Sequence, residues 1–325
     1  MPKIKATHDA NIDQLVEISA LYYIDGITQE ELSQRFNLSR PKVGRLLKRA
    51  REEGIVEIRV HNHPDSSTVL ELELIERFGI KRALIALDHQ DEHLQRKIVA
   101  SLVGSYLSRT LRAGKVIAVG MGRNVSAIAD SVSLGIRHEC TFVSAIGGSV
   151  RAGEYMNSDH IGRRLAAQFG GESETLYAPA LVADSEQRTA LMLNDTVRQT
   201  LDKARRADIA LIGVGDLSEN SNMVRMGWFS PSEIAAARIS GTVGDMMGYD
   251  FIDLQGHPAM TNMQGRIIGL NIDDLTRIPD VIAIASEPSK AAGILAALRT
   301  KAIDTLATSV SNIHTILQLD DATRK

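Results

Sequence analysis

Two groups of residues in this 325-residue chain have types and spacings suited to chemistry. The first is a run of cations, Arg40, Lys42, Arg45, Lys48, Arg49 and Arg51, with no carboxylate among them. Positive charge of one sign on one helix neutralises nucleic-acid phosphates, and that neutralisation supplies most non-specific DNA affinity. Asp25, Glu30 and Glu31 precede the run, and Glu52 and Glu53 follow it, so the positive potential is confined to one element. The second group lies at the ends of expected strands: Gly120-Met121-Gly122-Arg123-Asn124, Gly147-Gly148-Ser149 and Gly213-Val214-Gly215-Asp216. Glycines let a backbone approach a ligand closely, and N–H groups at a helix start favour an anion. Three such loops on one edge suggest a small-molecule crevice, although the 120–124 loop does not complete a dinucleotide fingerprint. Lys290 sits in the first turn of the helix expected after VIAIAS. A cation there opposes the helix dipole by roughly 0.3–1 kcal/mol, so it meets solvent, an anion or Glu287. Asp245, within the glycine-rich GTVGD of 241–245, can accept hydrogen bonds from hydroxyls. Trp228 and Phe229 suit either a sugar face, the core or a subunit contact.

The elements that must position the cations are two short helices and a tight turn. Thr28 caps the first helix, and Glu31 three residues later completes a capping box. Asn37 breaks that helix, since Asn tolerates the left-handed backbone that such a turn needs. Ser39 is placed to cap a second helix from about Arg40, with Val43, Leu46 and Leu47 facing inward. This is helix-turn-helix grammar, with the second helix as the recognition helix. A supporting helix is expected over 11–24, ended by Asp25-Gly26, after a disordered lead of about ten residues. Gly54 closes the recognition helix, and the alternating 55–61 reads as an exposed strand, a wing. The polar 61–67 stretch marks a domain boundary. His61 and His63 within it lack a third metal ligand, so it reads as a linker.

From Ser67 the pattern changes. A helix to Phe78 precedes strands expected at 83–87, 116–120, 140–146, 174–178, 208–214 and 281–285. Helices are expected between them at 92–111, 124–134, 158–169 and 186–204, with another at 289–298. Short apolar strands alternating with helices mean an α/β fold with a mostly parallel, doubly covered sheet, whose ligand crevice lies outside the strands' carboxyl ends. Length favours two domains. The 44% hydrophobic and 24% charged composition is that of a soluble globular protein. A net charge of −3 makes any DNA binding local to one element. A single cysteine, Cys140, excludes an internal disulfide and a Cys-rich zinc site, and its apolar surroundings read as core. With no signal-peptide core and no apolar run of membrane-spanning length, the expected location is cytoplasmic.

Several segments together resemble the SorC family of bacterial sugar-responsive transcriptional regulators. They are LYYIDGITQEELSQRFNLSRPKVGRLLKRAREEGIV (21–56), VGMGRNV (119–125), DIALIGVG (208–215), GTVGDMMGYDFIDLQG (241–256), RIIGL (266–270) and SKAAGILAALR (289–299). Order and spacing match from about residue 11 onward. The resemblance implies a DNA-binding domain (1–61), a linker and helix (62–79) and an effector and oligomerisation domain (80–325) resembling sugar-phosphate isomerases and glucosamine-phosphate deaminases. It implies a homotetramer whose grip on DNA is changed by a sugar, sugar phosphate or polyol. Carried over position by position, it implies effector contacts at Gly122, Arg123, Asn124, Ser126, Asp245 and Lys290. This chain departs from the family by having Ser286-Glu287-Pro288 where glycines are common, and Thr308-Ser309 where Thr-Asp is common. The first departure weakens a phosphate site at that edge, whereas Arg123 could restore one, so the phosphorylated form of the effector is the one favoured from sequence.

The reading is therefore a DNA-binding regulator, a repressor of a carbohydrate or polyol catabolic operon. Arg40, Lys42, Arg45 and Lys48 contact operator DNA, and Gln29 and Ser39 lie near phosphates. No cofactor, metal or catalytic residue is expected. The competing reading is a sugar-phosphate isomerase or deaminase with a fused DNA-binding domain. It would need an acid and base in reach of one another, for which Asp245 and His257 are the candidates.

Overall fold

A computed structural model describes residues 3–56, 64–131, 138–150, 153–219, 221–247, 250–259 and 265–324. The chain divides into two compact units, Met1–His61 and Asn62–Lys325.

The first unit contains α1 (Lys3–Tyr23), α2 (Gln29–Arg35) and α3 (Arg40–Glu52). α1 begins well before the expected residue 11, because no proline or glycine interrupts its good helix formers. It ends where expected, with Gly26 at φ 70°. The α2 capping box is formed. Thr28 Oγ1 accepts from the Glu31 backbone N–H at 3.3 Å, and the Glu31 carboxylate accepts from the Thr28 N–H at 2.9 Å. Asn37 takes the left-handed conformation, at φ 50°. Ile18, Leu32, Val43 and Leu47 form the buried core of this unit, and Leu46 is only partly buried against them. The 57–61 part of the expected wing, His61 and His63 lie outside the described residues, and Ile55 and Val56 are not in a strand.

The second unit opens with α4 (Pro64–Phe78), which starts at Pro64 rather than Ser67 and so takes up part of the expected linker. Then follow β1 (Arg82–Ala86), α5 (Glu92–Thr110), β2 (Val116–Val119), α6 (Arg123–Ser131), β3 (Cys140–Ser144), α7 (Ser158–Phe169) and β4 (Gly171–Glu174). Next come α8 (Ser185–Met192), α9 (Asp195–Arg205), β5 (Ile209–Asp216), α10 (Asn222–Arg225) and α11 (Pro231–Ile239). β6 (Thr242–Met246), β7 (Asp250–Asp253), α12 (Ile272–Leu275), β8 (Asp280–Ile284), α13 (Ala291–Arg299), β9 (Thr305–Ser309) and α14 (Val310–Thr323) complete it.

The sheet order is β1-β9-β8-β5-β2-β3-β4, with every neighbouring pair parallel. Its central strands are largely apolar because both faces are covered, and their side chains alternate between two cores, whereas the edge strand β4 (GESE) is polar and partly exposed. In β8, Val281 and Ala283 enter one core while Ile282 and Ile284 enter the other. The first core includes residues of α4, α9, α13 and α14, and the second those of α5, α6 and α7.

Two expectations are revised, and one element is new. The strand expected at 174–178 is instead β4 at Gly171–Glu174. The single helix expected at 186–204 is two helices, because Asn194 accepts hydrogen bonds from the N–H groups of Thr196 and Val197 and so caps a new start. An antiparallel hairpin, β6–β7, extends from β5, with Gly215 opposite Asp245.

Candidate functional site

The first candidate surface is α3. Arg40, Lys42, Arg45 and Lys48 are all exposed. Lys48 and Arg49 are paired along the helix with Glu52 and Glu53, at 3.7 and 2.6 Å. Arg40, Lys42, Arg45 and Arg51 have no ion-pair partner among the described residues. Ser39 occupies the N-cap position but makes no capping hydrogen bond with its side chain, contrary to expectation. Its hydroxyl, at the positive end of the helix dipole, is therefore available to an external acceptor. Gln29 is half-buried at the start of α2. Its Oε1 lies 3.4 Å from where a Cβ on Gly44 would stand, which places the Gln29 side chain against α3.

The second is a cavity of about 390 Å³ at the carboxyl ends of β2, β5 and β8. That size suits a small ligand. Gly122, Arg123, Asn124, Asp245 and Lys290 all line it, although they are up to 168 positions apart in the chain (290 minus 122). Asp216, Ser218 and Ser289 add polar groups, and Met121, Met156, Met223, Met226 and Met247 add a soft apolar wall. Trp228 also lines it and donates its indole N–H to Ser149 Oγ at 3.0 Å, whereas Phe229 is core, edge-on to Phe251.

Two expected features are absent from the wall. Ser126 is buried behind it, donating to the Tyr155 carbonyl at 2.7 Å and accepting from Arg164 at 3.0 Å. The 147–149 loop does not line the cavity either, and reaches it only through the Trp228 contact. Asn124 lines the cavity, but its amide is engaged on both sides. Oδ1 accepts from Ser286 Oγ at 2.7 Å, and Nδ2 donates to Glu287 Oε2 at 2.8 Å.

Asp245 is buried, and the glycine opposite it explains how. A Cβ at Gly215 would stand 1.8 Å from Asp245 Oδ1. Gly244 and Gly293 serve a similar purpose, since a Cβ on Gly244 would lie 2.7 Å from Gly293 Cα. These glycines bring α13, and Lys290 just before it, close to β6. Lys290 precedes α13 in a 3-10 turn (Pro288–Lys290), and its Nζ lies 3.1 Å from Glu287 Oε2, which resolves the three-way choice left by the sequence. Asp216 accepts from Ser289 Oγ at 2.6 Å and from the Ser218 N–H at 3.1 Å. Burial raises the Asp216 pKa, but these donors and Lys290 hold it below the ordinary aspartate value.

Sequence reasoning missed the methionine wall, named Asp216 only as the end of the 213–216 loop, and treated Glu287 as a neighbour of Lys290 and as a negative charge that weakens a phosphate site. Asp216 carried a weak signal, as it directly follows Gly215 at a strand end. His257 is exposed, beside Asp253, and does not line the cavity, so no acid–base pair forms with Asp245. Cys140 is buried in β3, and burial, with Asp208 nearby, pushes its thiol pKa up. Among the described residues no cluster of His, Cys, Asp or Glu could hold a metal, and no helix is long and apolar enough to cross a membrane.

The family model described as "Putative sugar-binding domain" matches residues 62–318, and a winged helix-turn-helix DNA-binding model matches residues 22–57. The first match covers more than half the chain. The chain belongs to the SorC family of transcriptional regulators. The transcriptional regulator LsrR of Klebsiella pneumoniae is 30% identical, over 95% of this chain and 94% of its own. The sugar-binding domain of a transcriptional repressor from Vibrio fischeri is 50% identical, covering 78% of this chain and 99% of that one, with a TM-score of 0.73. The full-length sorbitol operon regulator SorC of Klebsiella pneumoniae is 26% identical over 94% of this chain and 98% of its own, with a TM-score of 0.75. These SorC-family relatives are regulators and not enzymes, so the protein is a DNA-binding transcriptional regulator and the isomerase or deaminase reading is set aside.

Proposed function

We propose that the protein is a cytoplasmic, homotetrameric repressor of a carbohydrate or polyol catabolic operon, released from its operator by a small polyhydroxylated effector. In this reading residues 1–61 form the DNA-binding domain, 62–79 a linker and helix, and 80–325 the effector and oligomerisation domain. Arg40, Lys42, Arg45 and Lys48 contact operator DNA, Arg reading guanine bidentately and Lys holding phosphate as a point charge. Ser39 and Gln29 contact backbone phosphates. One recognition helix per subunit offers little contact area, so several subunits must act together on a repeated or palindromic site.

The observation that carries the effector assignment is the cavity that gathers Asp216, Asp245, Arg123 and Lys290 at one sheet edge. A buried and a half-buried carboxylate beside donors suit a ligand rich in hydroxyls, each of which can donate and accept. Gly122, Arg123, Asn124, Asp245 and Lys290 form the contact set, and Ser126 stands behind it, bonded to the Tyr155 carbonyl and Arg164. The effector acts by linkage, binding one arrangement of the oligomer better and shifting its population. A thermal-shift panel of sugars, polyols and their phosphates tests this, because a ligand that binds only the native state raises Tm. The expected result is a saturable rise for one chemical class, shifted to higher ligand concentration in Asp245→Asn. A panel with no Asp245-dependent response would refute the assignment.

A further inference from the structure

The cavity's cationic corner is already occupied by the protein's own carboxylate. Glu287 is 6% exposed, and both of its oxygens are engaged. Oε1 lies 3.0 Å from Arg96 Nη2 and 3.8 Å from Arg123 Nη2. Oε2 accepts from Asn124 Nδ2 at 2.8 Å and lies 3.1 Å from Lys290 Nζ. These donors come from α5, from the start of α6 and from the 3-10 turn before α13, which is the converging set a ligand's phosphate would require. Arg96 Nε and Arg123 Nε are buried and have no hydrogen-bond partner among the described residues. The cavity wall carries the carboxylates Glu92, Asp216, Asp245 and Glu287 and the cations Arg123, Arg225 and Lys290, with Arg96 paired to Glu287 behind it, so its cations are already balanced by carboxylates. A doubly charged phosphate entering this wall would find no uncompensated positive charge.

We propose that Glu287 is a resident anion that stands in the place of a ligand phosphate and restricts the effector to uncharged sugars or polyols. This deepens the effector assignment above and rests on its reading of the cavity. It reverses the phosphorylated form favoured by Arg123 in the sequence, because Arg123 is turned toward Glu287. With the charge of residue 287 removed, the largely buried Arg96 and Lys290 and the part-exposed Arg123 would face one another uncompensated, and an external anion entering from the cavity would replace the lost carboxylate. Burial raises the Glu287 pKa, but Lys290, Asn124 and Arg96 together hold it well below the ordinary glutamate value, so the resident charge persists at neutral pH.

The test uses full-length protein and inorganic phosphate as the probe, titrated against chloride at matched ionic strength, with Tm and phosphorus NMR line width as readouts. The wild type is expected to show no saturable phosphate response. Glu287→Gln keeps the side chain's shape and removes its charge, and it should bind phosphate at least about tenfold more tightly than the wild type. Should Glu287→Gln lower the stability of the protein, the phosphate-dependent recovery of Tm is itself the measurement. Glu287→Asp, which keeps the charge, should gain nothing, and adding Lys290→Met to Glu287→Gln should abolish the gain. Saturable phosphate binding by the wild type, or an equal response of wild type and Glu287→Gln, would overturn the proposal. A parallel titration of the wild type with sorbitol, erythritol and ribitol bears on the effector assignment alone. If no polyol binds while the phosphate results hold, the effector reading fails and the role of Glu287 stands.

Discussion

The cations of α3 and those of the cavity have the same sign and opposite circumstances. Arg40, Lys42 and Arg45 are exposed and have no ion pair among the described residues, so water solvates them and a phosphate can release their counterions at little cost. Arg96 and Lys290 are each only 11% exposed at the side chain and share the Glu287 carboxylate. Burying them without that carboxylate would cost about 3–5 kcal/mol. Exposed, unspent charge suits a long polyanion approached from solvent. Buried, internally balanced charge suits a ligand recognised by hydroxyl geometry. The difference lies in solvation and pairing rather than in residue type.

The largest expected effect comes from emptying the exposed set. Arg40→Ala with Lys42→Ala should cost about 2–6 kcal/mol of operator affinity, taking about 1–3 kcal/mol per contact. Fluorescence anisotropy with operator DNA at physiological salt measures it, and effector affinity should not change. Retained operator binding would remove α3 from the interface.

Glu287→Gln breaks the balanced set and should destabilise the fold by about 3–5 kcal/mol at pH 7, toward the lower end because the amide keeps a hydrogen bond. The sign of its pH dependence follows from a folded-state pKa held below the unfolded value of 4.5. The wild-type advantage is complete above that unfolded value and is lost as pH falls toward the folded one. The Tm gap between wild type and variant should therefore be constant from pH 5 to 8 and narrow in stronger acid. A gap that widens in acid would contradict the pairing.

Asp245→Asn, which removes one charged acceptor from the wall, should weaken the effector identified by the panel by about 1.5–3 kcal/mol and leave operator affinity of the ligand-free protein unchanged. Calorimetric titration separates the two.

The smallest effect is expected at Asp250, a half-buried carboxyl away from both sites. Its pKa is raised from the ordinary 3.8 to about 7, by burial first and then by Asp273 and Asp274, against the Ile272 N–H. The native state therefore holds a proton that the unfolded state has lost, and stability should fall as pH rises from about 4 to 7. Asp250→Asn should flatten that slope and raise stability at pH 8 by on the order of 1 kcal/mol, after discounting for partial exposure. An unchanged Tm profile between pH 4 and 8 would rule out Asp250 as its source.

The two regions also differ in how far they could be read from sequence. The Thr28–Glu31 capping box, the left-handed Asn37 and the inward Val43 and Leu47 all depend on neighbours within a turn or two. Propensity and capping chemistry are sufficient there. The strands β1, β2, β3, β5 and β8 were legible because a doubly covered sheet demands short apolar runs. The β6–β7 hairpin was not, since its TVGDM and DFID segments are poor strand formers held by pairing with β5 and by close packing of Gly244 on Gly293. The break at Asn194 was missed because helical periodicity continues across it.

Sequence by itself determined the helix-turn-helix, its one-signed run of cations, the α/β class and the family. Each rests on interactions of short range or on patterns that a long chain repeats. Only the tertiary structure decided what the cavity residues do. Glu287 meets Arg96, Arg123 and Asn124 from 191, 164 and 163 positions away (287 minus 96, 123 and 124). Ser126 turns to the Tyr155 carbonyl instead of the ligand space, and Gly215 proves to be room for Asp245. Whether a buried charge is free for a ligand or already spent depends on which partners the sheet order brings to it, and spacing along the chain does not encode that.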